Sequence, residues 1–300
     1  MPVGAALRGA KPASLVAMVV LALAGCGGTS PKKTTTGATP ATPGAANTVP
    51  LSISESGTTA KFTVPASVKG GLVQLELTNK GKSLHSAQLI LVSPGHTVAQ
   101  ALQSLGANSS KTPSWVHAEG GLGVVGPGLT TGATLNLPAG TYLVVDLGGP
   151  RTAGPPAYAT FTVTPGTTGA LPSTPTTVTA AFVSKDKYRW QVSGALQRGV
   201  GLVTFKSKGK ATLHLIGVAR LTGTATKAQI IAALKSNGAP PPFVDRTSLY
   251  TSASLDGNKS QVTPLPLLNP GKYILFCPLK DRAGGKPHFE EGLLTTVTVK

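Results

Sequence analysis

Three residues in the C-terminal part of this 300-residue chain have side chains that bind soft metals: His214, Cys277 and His288. Two imidazoles and a thiolate are soft or borderline donors that suit copper in both oxidation states. A rigid scaffold around such a set keeps its geometry similar in both states, which lowers reorganisation when an electron moves. Cys277 closes the strand-like run YILFC, and His288 follows after ten intervening residues, ahead of LLTTVTV. His214 lies far upstream, within TLHLIGVARL. Spacing alone is a weak signal. Taken singly, His214 reads as a strand histidine, Cys277 as a small buried hydrophobe and His288 as a loop residue.

The elements that must bring these residues together belong to a repeat. NKGKSLH ending at His85 matches SKGKATLH ending at His214, and TVAQ from Thr97 matches TKAQ from Thr226, both at an offset of 129. PAGTY ending at Tyr142 matches PGKY ending at Tyr273 at an offset of 131. A period this long means duplicated domains and excludes a solenoid, whose repeats are far shorter. Around the landmarks lie short β-branched runs bounded by Gly, Pro or Asn, such as GLVQLELTN, TYLVVDL, GLVTFKS and LLTTVTV. Many short strands with turn signals predict antiparallel sandwiches. AQALQSL and AQIIAAL add one short helix to each copy. The expected fold class is all-β, with two tandem Greek-key sandwiches over residues 51–165 and 178–300, joined by a Thr/Pro/Gly-rich linker at 166–177.

At this point the chain resembles the cupredoxin, or blue-copper, family. Its pattern is an early histidine, a distant cysteine at a strand end, a histidine soon after, and a methionine five positions beyond. The resemblance implies that His214, Cys277 and His288 are equatorial copper ligands. Leu293 stands at the axial position, so no axial donor is expected there, and the family implies a higher reduction potential in that case. The ten-residue loop between Cys277 and His288 is longer than is typical of the family. Leu215 stands where an asparagine often follows the first ligand. The first copy has His85, but Asp146 replaces the cysteine and Ala157 or Tyr158 the second histidine. That copy is expected to hold no copper.

The N-terminus gives an address. Arg8 and Lys11 precede the apolar run Ser14 to Leu23, then Leu23-Ala24-Gly25-Cys26. This is a signal-peptide layout, with a run too short for a permanent span. The final four residues resemble a bacterial lipobox, which implies a signal peptide over 1–25 and lipidation of Cys26. Residues 26–50, rich in Gly, Pro, Ser, Thr and Ala, read as a flexible tether. The expected location is the extracytoplasmic face of the cell membrane. With two cysteines in the chain, lipidation of one leaves Cys277 without a partner.

The formal net charge is +17, and from Thr177 onward 17 basic residues stand against 6 acidic ones. A basic outer domain on a lipid anchor is drawn to anionic cell-wall polymer or lipid headgroups. Aromatics are few and no recognition helix is readable, so nucleic acid is excluded. A redox partner protein is implied if copper is bound.

Other motifs carry less. His96 and His117 read as loop residues that could join His85 around a metal. Glu290 and Glu291, placed on adjacent strand positions, point to opposite faces. The glycine-rich stretch from Glu119 lacks the lysine and helix of a phosphate loop. Trp115 and Trp190 read as core or rim residues. No nucleophile-base arrangement is present, so the chain is expected not to be an enzyme. The functional expectation is a lipoprotein with a copper-binding or electron-transfer module in its second domain. The alternative is a metal-free sandwich for cell-wall or partner binding.

Overall fold

The computed structural model describes residues 46–105, 111–149, 155–210, 212–236 and 240–300. The basic leader, Cys26 and the tether up to residue 45 lie outside these.

Period-two alternation builds the first sandwich. In the strand Gly71–Asn79, Val73, Leu75 and Leu77 are fully buried while Gln74 and Glu76 face solvent. This strand runs parallel to Asn47–Ser56 and antiparallel to Thr130–Leu137. The facing sheet centres on His85–Val92, buried at nearly every position because both its faces are covered. Leu89 points into the sandwich core. Ile90 and Val92 pack on the other side with Ala101 of the helix Val98–Ser104.

The second sandwich repeats this plan. Thr176–Ser184, Gly199–Ser207 and Ser260–Leu267 form one sheet, and Gly217–Leu221, Gly271–Phe276 and Leu294–Val299 the other. Between them pack Val178, Phe205, Ile216, Leu265, Tyr273 and Leu275. The helix Lys227–Lys235 covers the outer face through Ile230. The fold is all-β, with two tandem β-sandwiches, each carrying one short helix. Among the described residues no helix is long and apolar enough to cross a membrane.

The repeated motifs have physical roles. Thr97 and Thr226 are N-caps of the two helices: each hydroxyl accepts from the backbone N–H of the glutamine three residues on, and that glutamine's side chain accepts from the threonine N–H. These are reciprocal capping boxes. Tyr142 donates its hydroxyl to the Pro138 carbonyl and Tyr273 to that of Asn269, so both tyrosines tie a strand back to its preceding turn.

The two halves are joined by shared sheets. Gln261 and Val262 pair with Leu135 and Thr134, which makes one eight-stranded sheet across both halves. On the opposite face, Leu255 pairs with Glu119. The Gln88 amide donates to the Ser254 carbonyl at 3.1 Å and accepts from the Ser254 N–H at 2.6 Å. Lys259 meets the buried Glu119 carboxylate at 2.6 Å.

Several local expectations change. Asn47–Ser56 begins inside the stretch read as tether. The stretch read as linker is fastened in place: Thr167 accepts from the Leu72 N–H, and Gly169 exchanges two hydrogen bonds with the Asn136 side chain. TLHLIGVARL is two strands. Leu213–His214 pairs with Leu255–Asp256, whereas Gly217–Leu221 pairs with Val244–Thr251, so the chain changes sheets at Leu215–Ile216. His117 lies on the strand Val116–Val125, outside any loop. Glu290 and Glu291 lie in the turn before Leu294–Val299, so strand alternation does not separate them.

Candidate metal centre

Three elements meet at one end of the second sandwich. Leu213–His214 presents the first imidazole. Cys277 follows the strand Gly271–Phe276 directly. His288 opens the turn ahead of Leu294–Val299. Backbone bonds fix the last two against each other: the Cys277 carbonyl accepts from the Phe289 N–H, and the Cys277 N–H donates to the Leu293 carbonyl. The His288 N–H donates to the Leu279 carbonyl, and the His288 carbonyl accepts from Leu293.

The three donor side chains converge and are fully buried. The Nδ1 atoms of His214 and His288 are 3.1 Å apart, and Cys277 Sγ is 3.6 Å from His288 Nδ1. One ion at bond lengths of about 2.0 Å to imidazole and 2.3 Å to thiolate spans such separations. His288 Nε2 lies 3.1 Å from Asp281 Oδ1, so that nitrogen carries the hydrogen and Nδ1 presents its lone pair to the cluster. His214 Nε2 is buried with no hydrogen-bond partner. If His214 Nδ1 holds the ring hydrogen, Nε2 is a bare buried acceptor. If Nε2 holds it, two lone pairs face each other across 3.1 Å. A shared cation relieves the second arrangement, so these residues fit a soft metal ion such as copper.

The electrostatics agree. Burial, then the nearby His288, lowers the His214 imidazole to about 3, against a weaker upward pull from the Lys208 carbonyl. Burial also lowers His288, partly offset by Asp281. The Cys277 thiol is pushed up to about 12 by burial, although the amides of Leu215 and Leu279 favour its thiolate. The metal-free cluster is therefore neutral at neutral pH, and a bound cation supplies the charge that makes a thiolate favourable there.

Two surrounding residues were missed in the sequence. Asp281 accepts from His288 and from the Tyr188 hydroxyl, the latter at 2.8 and 2.9 Å to its two oxygens. The Tyr188 ring lies against both imidazoles, with centroids 5.1 Å from His214 and 4.7 Å from His288. Beyond it, a cleft of about 210 Å³ lined by Phe182, Lys185, Tyr188 and Asp281 opens to solvent. Leu293 is fully buried in the same core as Cys277 and offers no donor atom. Glu291 clusters with Asp281 and His288. Its carboxyl is raised by burial and then by the charges of Asp281 and Asp186.

The first sandwich answers the same geometry with an ion triad. His85 Nδ1 lies 2.6 Å from Asp146 Oδ2 and Nε2 lies 3.0 Å from Glu55 Oε1, with His85 fully buried. The backbone amides of Ser86 and Gly148 donate to Asp146. At the matching positions, the amides of Leu215 and Leu279 favour the Cys277 thiolate. Amides at equivalent positions thus serve a carboxylate in the first copy and a thiol in the second. His96 and His117 do not join His85. His96 stacks on Trp115 at 4.1 Å, and His117 lies between Ser93 and Asp256. Trp115 packs beside the first helix, and Trp190 packs against the second core with its Nε1 buried and unpaired.

No protein-family profile and no curated protein matches the chain. Solved structures do. Auracyanin B shares 23% identity over 41% of this chain and 86% of that chain, with a TM-score of 0.28. Blue copper oxidase from Nitrosomonas europaea shares 12% identity over 85% of this chain and 86% of that chain, with a TM-score of 0.23. The copper-containing nitrite reductase of Thermus scotoductus shares 12% over 84% of this chain and 61% of that chain, also with a TM-score of 0.23. These similar structures include enzymes, which overturns the expectation that the chain is not one. At such identities the likeness assigns no reaction to it.

Proposed function

We propose that the second sandwich is a copper-binding, electron-transfer module on a protein held at the extracytoplasmic face of a membrane by a lipid on Cys26. The observation that carries this reading is the buried convergence of three soft donors from distant parts of the chain. Copper in this setting supplies a one-electron couple. His214, Cys277 and His288 hold it, Asp281 fixes the His288 tautomer, and Tyr188 and Leu293 limit the access of water. The rigid sheets beneath keep the ligands in place in both oxidation states.

The test is to add Cu(II) to the full chain. One equivalent binds and produces an intense visible thiolate-to-copper band, which is absent in Cys277→Ser. A colourless, copper-free protein removes the reading. The anchor is tested separately: Cys26→Ser moves the protein from the membrane fraction to the soluble one. The basic second half then favours anionic headgroups or wall polymer, which salt weakens.

A further inference from the structure

We propose that Arg282 is a positioning residue through which the first sandwich holds the metal loop of the second and so sets His288. The inference rests on the copper reading only for its effect on the metal. The loop between Cys277 and His288 reaches out to the first half. There the Arg282 carbonyl accepts from the Thr112 N–H at 2.9 Å, and Arg282 Nη1 donates to the Pro113 carbonyl at 2.6 Å. Arg282 Nη2 donates to Asp256 Oδ1, and both side chains are largely buried. The other oxygen of Asp256 faces His117 Nδ1 of the first sandwich at 3.2 Å.

The residue before this anchor is Asp281. Its carboxylate receives His288 Nε2 and the Tyr188 hydroxyl. A turn closed by the Gly284 N–H on the Asp281 carbonyl makes the segment stiff. Displacing Arg282 therefore moves Asp281, and with it the group that fixes the His288 ring and tautomer. The long loop has a use on this account: it carries an anchor that a shorter one could not deliver to Thr112 and Pro113. The first sandwich, which lacks the ligand set, thereby acts on the metal site of the second.

The experiment compares the full chain with Arg282→Ala and, as a control, Lys259→Ala, which cuts an ion pair at the same inter-half boundary without touching the loop. Arg282→Ala lowers copper affinity about ten- to hundred-fold, as loss of an outer partner does, and shifts the visible band. Lys259→Ala leaves both unchanged. In the metal-free protein, nitrogen NMR of His288 shows the Nε2–H tautomer in the wild type and in Lys259→Ala, and a tautomer mixture in Arg282→Ala. If Arg282→Ala does not fold, Arg282→Gln is read in the same way. An unchanged His288 spectrum overturns the latch whether or not copper binds. Absence of copper binding in the wild type, with the His288 change present, overturns the metal reading and leaves the latch standing. Equal effects of the Lys259 and Arg282 variants reduce the latch to general stabilisation and overturn it.

Discussion

Removing the Asp281 carboxylate takes away the only described hydrogen-bond partner of His288 Nε2 and one partner of Tyr188. Asp281→Ala is expected to weaken copper binding about ten- to hundred-fold while leaving one equivalent bound. Equilibrium competition with a chelator checks this, and an affinity equal to wild type rejects the role. Cys277 and His288 were readable from the sequence because a thiol and an imidazole are scarce and each ended or opened a strand pattern. Asp281 was not readable. An acid in a Lys- and Gly-rich loop has the same appearance whether it faces water or a buried ring, and only the folded loop shows which. Tyr188 was hidden for a similar reason: an aromatic in KYRWQVS reads as half-buried strand, with nothing local to say that two imidazoles lie above it.

The ion triad of the first sandwich ties three strands together: Glu55 on Asn47–Ser56, His85 at the start of His85–Val92, and Asp146 just past Gly140–Val145. Burial pulls the His85 imidazole down, but the hydrogen bond and charge of Asp146, followed by those of Glu55, raise it above 6.5 overall. A histidine with a raised folded value stabilises fully below its unfolded value and loses that contribution as pH climbs through the folded one. Denaturant midpoints are therefore expected to fall as pH rises above about 6.5, and Asp146→Asn should flatten that part of the profile. A profile unchanged by the substitution refutes the triad's part in it. The strands themselves were largely visible as alternating runs. The break inside TLHLIGVARL was not, because local alternation does not tell which sheet a residue will join.

At the level of the molecule, the sequence showed two copies but not their union. Leu135 and Gln261 read as ordinary strand residues, and the contact between them depends on two strands about 125 positions apart in the chain. Because main-chain pairing, the Gln88–Ser254 exchange and the Lys259–Glu119 ion pair all cross the boundary, the halves are expected to melt together. Calorimetry should show a single transition with equal calorimetric and van't Hoff enthalpies. Two separated transitions would contradict it. The shared sheet also bears on what happens when the chain is cut. The pairing stops short of Pro264 and Pro266, which have no N–H and blunt that side. On the other side, TTGATLNL of Thr130–Leu137 holds neither proline nor charge. A proteolytic fragment ending after the first sandwich would bare that row of amides and carbonyls to any passing strand, so the second sandwich also shields the first from self-association.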